Sequence, residues 1–376
     1  MYKIYFYIYL INLTCGLMSV ESEDMSVEDS TAAQTLSDIT YSTTDYIRSS
    51  SSSFDPAWQI AITVEFYFRY SLIAIGIFGT AANALVLYAL VMYNAQEAKK
   101  RAINLLLINQ NSLDLLSCVL LVVSTSMGVN KTYLEGALGY FLCTVFISEG
   151  ASYSSLYGSV INLTMLTLER YLKVVHPFWS KKYLKRWMIH VAMVFAWISG
   201  ISFNMPVVFA TTLLQDGVCL SYFAWENPAV RMMYVVIIFV CCFLVPLVVF
   251  VYCYGHIVVV MRRQMKVMAG HGGGNVQANA AQIQSQRIKW NIIKTMIIVN
   301  VTFVVCFSPT IVYFMIVDNT TYPSTSLYVG YSATTFLAYL NVCMNPFIYA
   351  TKHDGVKQRL LSICYRCKGQ AAVVGN

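Results

Sequence analysis

Between residues 66 and 350 a few ionisable and amide side chains stand in stretches that are otherwise apolar. Asn83, Asp114, Ser159, Asn341 and Asn345 each fall near the middle of such a stretch. Glu149 lies in the outer part of one, and Glu169-Arg170-Tyr171 closes the same one at its basic end. Polar groups in apolar surroundings are costly, so each calls for a reason. A carboxylate with hydroxyl and amide oxygens around it can be neutralised by hydrogen bonds or by a hard cation. A fixed, planar guanidinium beside an acid can exchange one partner for another. Neither is bond-making chemistry. A membrane enzyme needs clustered His, Asp or Ser, as in HExxH or GxSxG; neither motif occurs, and the five histidines are scattered. The eleven cysteines are too few for a disulfide scaffold and lack the two closely spaced pairs of a zinc site. Taken singly, each buried polar residue also reads as an ordinary hydrogen-bonding group.

The elements that position these residues follow from composition. Of 376 residues, 57% are hydrophobic and only 11% charged. That leaves too little charge to coat a water-facing surface, which in soluble domains takes about 25%. Seven apolar runs are long enough to span ~30 Å at 1.5 Å per residue. They are Phe66 to Tyr93, Ile103 to Val129, Leu138 to Tyr171, Trp187 to Leu213, Ala229 to Met261, Trp290 to Val317 and Thr325 to Ala350. The expected fold is an all-α seven-transmembrane helix bundle over 66–350, followed by a short amphipathic eighth helix, Lys352 to Arg366, and a cytoplasmic tail within 351–376. Residues 1–20 have the basic start, apolar middle and small-residue end of a signal peptide. Residues 21–65 begin acidic and rich in Ser and Thr, without apolar periodicity, and are expected to form a disordered extracellular tail.

The net charge of +7 raises the question of nucleic acid, and its distribution answers it. No basic stripe is interleaved with aromatics on a polar face, so no nucleic-acid binding is expected. With the amino end outside, 20 of the 25 basic residues fall in cytoplasmic loops and the tail, as positive charge retained on the inner side requires. This orientation argues against the inverted seven-helix receptors of insect chemosensation. It puts the Asn-x-Thr sequons at Asn130 and Asn319 in outer loops, as candidate glycosylation sites. Cys364 and Cys367 follow the amphipathic stretch and are candidates for palmitoylation or for plain surface thiols.

In chain order, the marked residues are Gly79 with Asn83 and Val86, then Ser112-Leu113-Asp114-Leu115, Glu169-Arg170-Tyr171 and Trp197. Pro246 with Tyr254, Phe303 with Cys306-Phe307-Ser308-Pro309, and Asn345-Pro346-Phe347-Ile348-Tyr349 complete the series. The series resembles the helix-by-helix landmarks of the rhodopsin-like G-protein-coupled receptors, over roughly residues 66–366. The resemblance implies a non-enzymatic plasma-membrane receptor that binds an extracellular ligand and activates a heterotrimeric G protein, with arrestin as a further partner. It assigns coupling and activation to Glu169, Arg170, Tyr171, Tyr254, Asn345, Pro346 and Tyr349, with Tyr254 and Tyr349 meeting through water. A packing switch is expected from Val160, Pro246 and Phe303, with Phe307 and Pro309 beside it. Prolines allow the bends at which helices five, six and seven swing. An allosteric Na⁺ is expected between Asp114, Ser159, Asn341 and Asn345, holding the inactive state. Cys143 and Cys219 are the expected disulfide pair.

Three departures qualify the pattern. Cys143 lies 27 residues before Arg170, two more than the family's usual spacing, so helix three needs a bulge or a shifted outer end. Phe307 replaces the tryptophan usual before the helix-six proline, and Lys289 stands where many members have an acid facing Arg170, which predicts some basal activity. Light sensing needs a helix-seven lysine, and the matching position is Tyr339. Amine receptors place an acid at the position that corresponds here to Ser152, counting from Arg170, or to Gly150, counting from Cys143; neither is acidic, and Glu149 is one turn away. Glu149, Ser152, Phe307 and Tyr339 are therefore the candidate pocket residues. A peptide ligand is the leading reading, since Glu135, Asp216, Glu226 and Asp318 make the outer surface acidic; the alternative reading of the same acids is plain solvation of that face. A small amine or indole is the alternative, and a transporter the remote one, for which no internal repeat is found. The stretch Ser159 to Tyr171 is also similar to the melatonin and galanin-like branches.

Overall fold

The computed structural model describes residues 56–96, 105–129, 134–215, 217–220, 227–270, 276–317, 325–352 and 356–362. The expected signal peptide, both sequons, Cys364 and Cys367 lie outside them.

Seven long helical runs dominate the described residues. They are α1 (Pro56–Gln96), α2 (Leu105–Val129), α3 (Gly150–Val175), α4 (Arg186–Thr211), α5 (Pro228–Phe239, continuing through a π turn at Val240–Leu244 into Val245–Gly270), α6 (Val276–Val317) and α7 (Thr325–Lys352). A short helix, Pro177–Tyr183, joins α3 to α4, with proline opening its first turn. After α4, in the connection to α5, β1 (Leu213–Gln215) and β2 (Val218–Leu220) pair antiparallel as a small hairpin. Helix α3 is the hub: α2, α4 and α5 pack around it, while α1 and α6 flank α7. Residues 356–362 form one more helical stretch, whose Val356 and Leu360, four apart, pack on the main core while Lys357 faces out.

Among the described residues, five helical stretches have the length and apolarity to cross a membrane: Thr63–Met92, Leu105–Met127, Arg186–Thr211, Ala229–Val267 and Gln286–Met315. Helices α3 and α7 fall short of that hydropathy because they carry the inward polar residues. Ser152, Ser154, Ser155, Ser159 and Asn162 of α3 are all buried against neighbouring helices. Lipid meets the outer helices instead, where Val194, Phe195, Ile198, Val248, Val251 and Val305 are exposed.

Two expectations need correction. Helix α1 begins at Pro56, so the last ten residues assigned to the tail are helical; Glu65 and Arg69, one turn apart, form an ion pair that supports this outer extension. The third run is also not one helix from Leu138 to Tyr171. It comprises Gly136–Leu142, a π turn at Cys143–Ile147 and, after Ser148 and Glu149, α3 itself. Glu149 has φ +59, alone among the described non-glycine residues in a left-handed conformation. Such a backbone costs on the order of 1–2 kcal/mol and holds only where the surroundings enforce it.

Those surroundings include two close backbone approaches. A Cβ on Gly150 would sit 2.6 Å from the carbonyl oxygen of Thr144, and one on Gly200 of α4 would sit 2.3 Å from that of Ser154 and 2.7 Å from the nitrogen of Gly158. Helices α3 and α4 thus touch backbone to backbone. Overpacking costs about 1–3 kcal/mol, so Gly200→Val is expected to lower the thermal midpoint of the purified protein and its surface expression. Gly255→Ala, with nothing within 4 Å of the added carbon, serves as control and is expected to leave both unchanged.

Candidate functional site

The middle of the bundle is organised around Asp114. Its carboxylate is wholly buried on α2. One oxygen, Oδ1, accepts from Ser159 Oγ on α3 (2.6 Å) and from Gln110 Nε2 one turn back on α2 (3.2 Å); Oδ2 accepts from Asn345 Nδ2 on α7 (2.8 Å). Neutral donors from three helices therefore hold one charge. Sequence reasoning missed Gln110, although a glutamine one turn before Asp114 was a signal available in the sequence.

The set expected to hold Na⁺ is only partly assembled. Asp114, Ser159 and Asn345 meet, while Asn341 makes no bond to the carboxylate; its Oδ1, like that of Asn345, is buried with no donor among the described residues. Gln110 also donates to Ser159 Oγ (2.5 Å), so its amide addresses the two oxygens nearest to hand for a cation. The oxygen chemistry suits a hard ion, yet the amide already engages it. Nearby, Asn83 on α1 donates to the carbonyls of Gly79 and, on α7, Val342 (3.2 Å), tying α1 to α7.

Below this, the residues expected to form the packing switch and the coupling set are closely packed. Val160, Phe303 and Phe307 share one buried cluster with Phe243 and Phe250; the Phe303 ring lies 4.8 Å from Phe307 and 5.8 Å from Phe250. Pro246 is buried just after the π turn of α5, where a residue without an N–H breaks the ordinary helix ladder. Pro309 and Pro346 lie within α6 and α7, and Thr310 Oγ1 donates to the carbonyl of Thr334 (2.7 Å), linking the two helices beside Pro309. Arg170 is 7% exposed, with its Nε 3.6 Å from Glu169 Oε2, and Lys173 holds the other oxygen of Glu169. Tyr171 donates to, or accepts from, His256 Nδ1 on α5 (3.1 Å). Tyr254 approaches Thr167 at 3.4 Å, and the buried hydroxyl of Tyr349 has no partner among the described residues, so the two tyrosines do not bond directly.

Toward the outer side, Tyr339 Oη donates to Glu149 Oε2 (3.4 Å) across α3 and α7, and the Tyr153 ring lies 5.9 Å from that of Tyr339. Glu149 is 6% exposed. Helix register gave Ser152 when counted from Arg170 and Gly150 when counted from Cys143, with Glu149 one turn away. Ser152 is fully buried, 3.2 Å from Ser124 Oγ of α2, while Glu149, just before α3 begins, is the group that meets Tyr339. Phe307 stays in the apolar cluster below. Cys143, on the π turn, is bonded to Cys219 of β2, pinning the hairpin over the outer end of the third run. The π turn and the Ser148-Glu149 break absorb the long spacing between Cys143 and Arg170.

A family model described as 7 transmembrane receptor (rhodopsin family) matches residues 82–349. Melanopsin-A of Danio rerio is 26% identical over 294 residues, 75% of this chain and 47% of that protein, so the chain spans about half the length of that relative. The substance-K receptor of Mus musculus is 25% identical over 319 residues, covering 83% of this chain and 77% of its own. Somatostatin receptor type 4 of Rattus norvegicus is 27% identical over 296 residues, covering 77% and 70%. The crystal structure of squid rhodopsin shares the fold, with a TM-score of 0.64 at 17% identity over 82% of this chain and 88% of that one.

Removing a native disulfide costs about 2–5 kcal/mol. Cys143→Ala and Cys219→Ala are each expected to lower the thermal midpoint, and the double variant to fall no further than either single one. Additive losses in differential scanning fluorimetry would show that the two sulfurs act separately.

Proposed function

This chain belongs to the rhodopsin family of seven-transmembrane receptors, and from that membership we propose that it receives a cationic peptide outside the cell and activates a heterotrimeric G protein within. The observation that carries the ligand class is the buried Glu149 carboxylate, set between α3 and α7 and hydrogen-bonded to Tyr339. A carboxylate so placed is best satisfied by an incoming ammonium or guanidinium, and charge-assisted hydrogen bonds are the strong ones. The exposed Glu135 and the acids at 216, 226 and 318 give long-range attraction of the same sign. Two relatives are a substance-K receptor and a somatostatin receptor, which supports a peptide. A small amine or indole is the second reading, favoured by the same carboxylate. Retinal attachment is not, because the single lysine of α7 is Lys352 at its inner end.

In this reading the protein lies in the plasma membrane with its amino end outside, where the oxidising surroundings suit the Cys143–Cys219 bond. The inner end is closed: Arg170 is buried, and Leu166, Ile257, Met261, Ile293 and Met296 pack in one cluster with Tyr254 and Tyr349. Ligand shifts the population toward an outward swing of α6 about Pro309, which exposes Arg170 to the G protein and then to arrestin. Coupling is reciprocal, so the G protein tightens agonist binding. Helix α6 contains no acidic residue, and Lys289 is exposed. Arg170 therefore has no carboxylate on α6 to hold the closed state.

Two outcomes test this. In a screen of peptides, amines and indoles, activators are expected to carry a basic group, and Glu149→Gln to weaken them about 30-fold or more, since leaving one member of a buried charge pair unpaired costs about 2–5 kcal/mol; an acidic activator indifferent to this substitution would refute the ligand class. Cells expressing the receptor are expected to show second-messenger levels above mock-transfected cells without ligand, and Arg170→Ala to return them to the mock level while surface expression holds. Equal levels in all three would remove the basal activity.

A further inference from the structure

The amides around Asp114 form a line whose direction is fixed from one end. The Trp197 indole N–H on α4 is a donor only, so the atom facing it, Asn109 Oδ1 (3.0 Å), is an acceptor. The other half of that amide, Nδ2, then donates to Asn162 Oδ1 on α3 (2.8 Å). Asn162 in turn presents its Nδ2 to the carbonyl of Leu106 (3.0 Å) and to Gln110 Oε1 (2.8 Å). With its oxygen so engaged, Gln110 has only its N–H groups left to face Asp114 Oδ1 and Ser159 Oγ. Four donors in series thus run from the lipid-side indole to the carboxylate, each orientation imposed by the one before, and no alternative amide flip satisfies the chain.

We propose that this relay is a tethered substitute for a cation: the Gln110 amide engages the oxygens that an ion would need, so the resting receptor binds Asp114 internally and does not take up Na⁺. Hydrogen bonds in series polarise one another, which concentrates positive character at the last N–H. The amide is covalently attached and already oriented, whereas an ion must shed water and displace it. If Gln110 is replaced by an apolar side chain, Asp114 and Ser159 lose their shared donor. Asn341 Oδ1 and Asn345 Oδ1, which have no donor among the described residues, can then join them as a set of four oxygens for a hard cation.

The test is thermal unfolding of the purified full chain in detergent, with no ligand, in NaCl and in choline chloride at equal ionic strength. Wild type is expected to unfold at the same temperature in both. Gln110→Leu is expected to unfold at a lower temperature in choline and to recover by at least about 2 °C, saturably, with Na⁺, as a ligand bound only to the folded state must do. Gln110→Met, of similar length, is expected to behave likewise and stands in should leucine not fold. Adding Asp114→Asn to either is expected to abolish the recovery. A saturable, Na⁺-specific rise in wild type overturns the proposal, as does a Gln110 variant that folds but gains no response to Na⁺.

Discussion

A charge inside a bundle whose outside is hydrocarbon has to be met by the bundle itself, and Asp114 imposes that condition on the rest of the structure. An isolated carboxylate in such a medium is costly enough that it must be hydrogen-bonded, paired or neutralised. Here α2, α3 and α7 each deliver a donor to it. Those three helices are thereby held in register at mid-depth, and the carboxylate marks the point at which they meet. Asn83 extends the same logic to α1, reaching a carbonyl of α7. Helix α4 joins through Trp197, which supplies the first N–H of the line that ends on the carboxylate. The apolar surfaces say that these helices aggregate; the polar atoms say in which rotation.

Above and below that level the chain obeys different constraints. At the outer end, the disulfide ties Cys143 to the β1–β2 hairpin, so the polypeptide must reach from a pinned point to a helix whose depth Asp114 has already set. A straight helix of that many residues would overshoot. The surplus is taken up by five residues of π geometry and by the left-handed Glu149, and the acid that results from this adjustment is the one facing Tyr339. At the inner end no comparable charge fixes α6. Aromatic and methionine side chains, which can repack, hold it against α3 and α5.

Much of this was legible in the residues before any coordinates. Seven apolar runs, the inward placement of Asp114, Asn345 and Arg170, and the need for an irregularity between Cys143 and Arg170 all follow from spacing and burial cost. What spacing could not give was the form of the irregularity. Periodicity counts residues along one helix, so it gave Ser152 when counted from Arg170 and Gly150 when counted from Cys143; the π turn and the left-handed Glu149 lie between those two anchors, and the acid there faces Tyr339. Gln110 escaped for another reason. A glutamine beside an aspartate reads as one more polar side chain, and its bearing appears only when Asn162 is seen to hold its oxygen. The α1 extension to Pro56 was missed because its residues lack the continuous apolar run used to find spans, whereas Glu65 and Arg69 stabilise it through one another.

The glycine contact between α3 and α4 has a mechanical meaning. Where Gly200 lets the two main chains touch, there is no layer of side chains to shear, and the pair is as stiff as its own peptide bonds allow. Such a pair behaves as a stator. Any rearrangement of the inner end must be carried by the opposite wall, where rings slide over rings, and the line of amides is anchored on the stationary pair through Trp197 and Asn162.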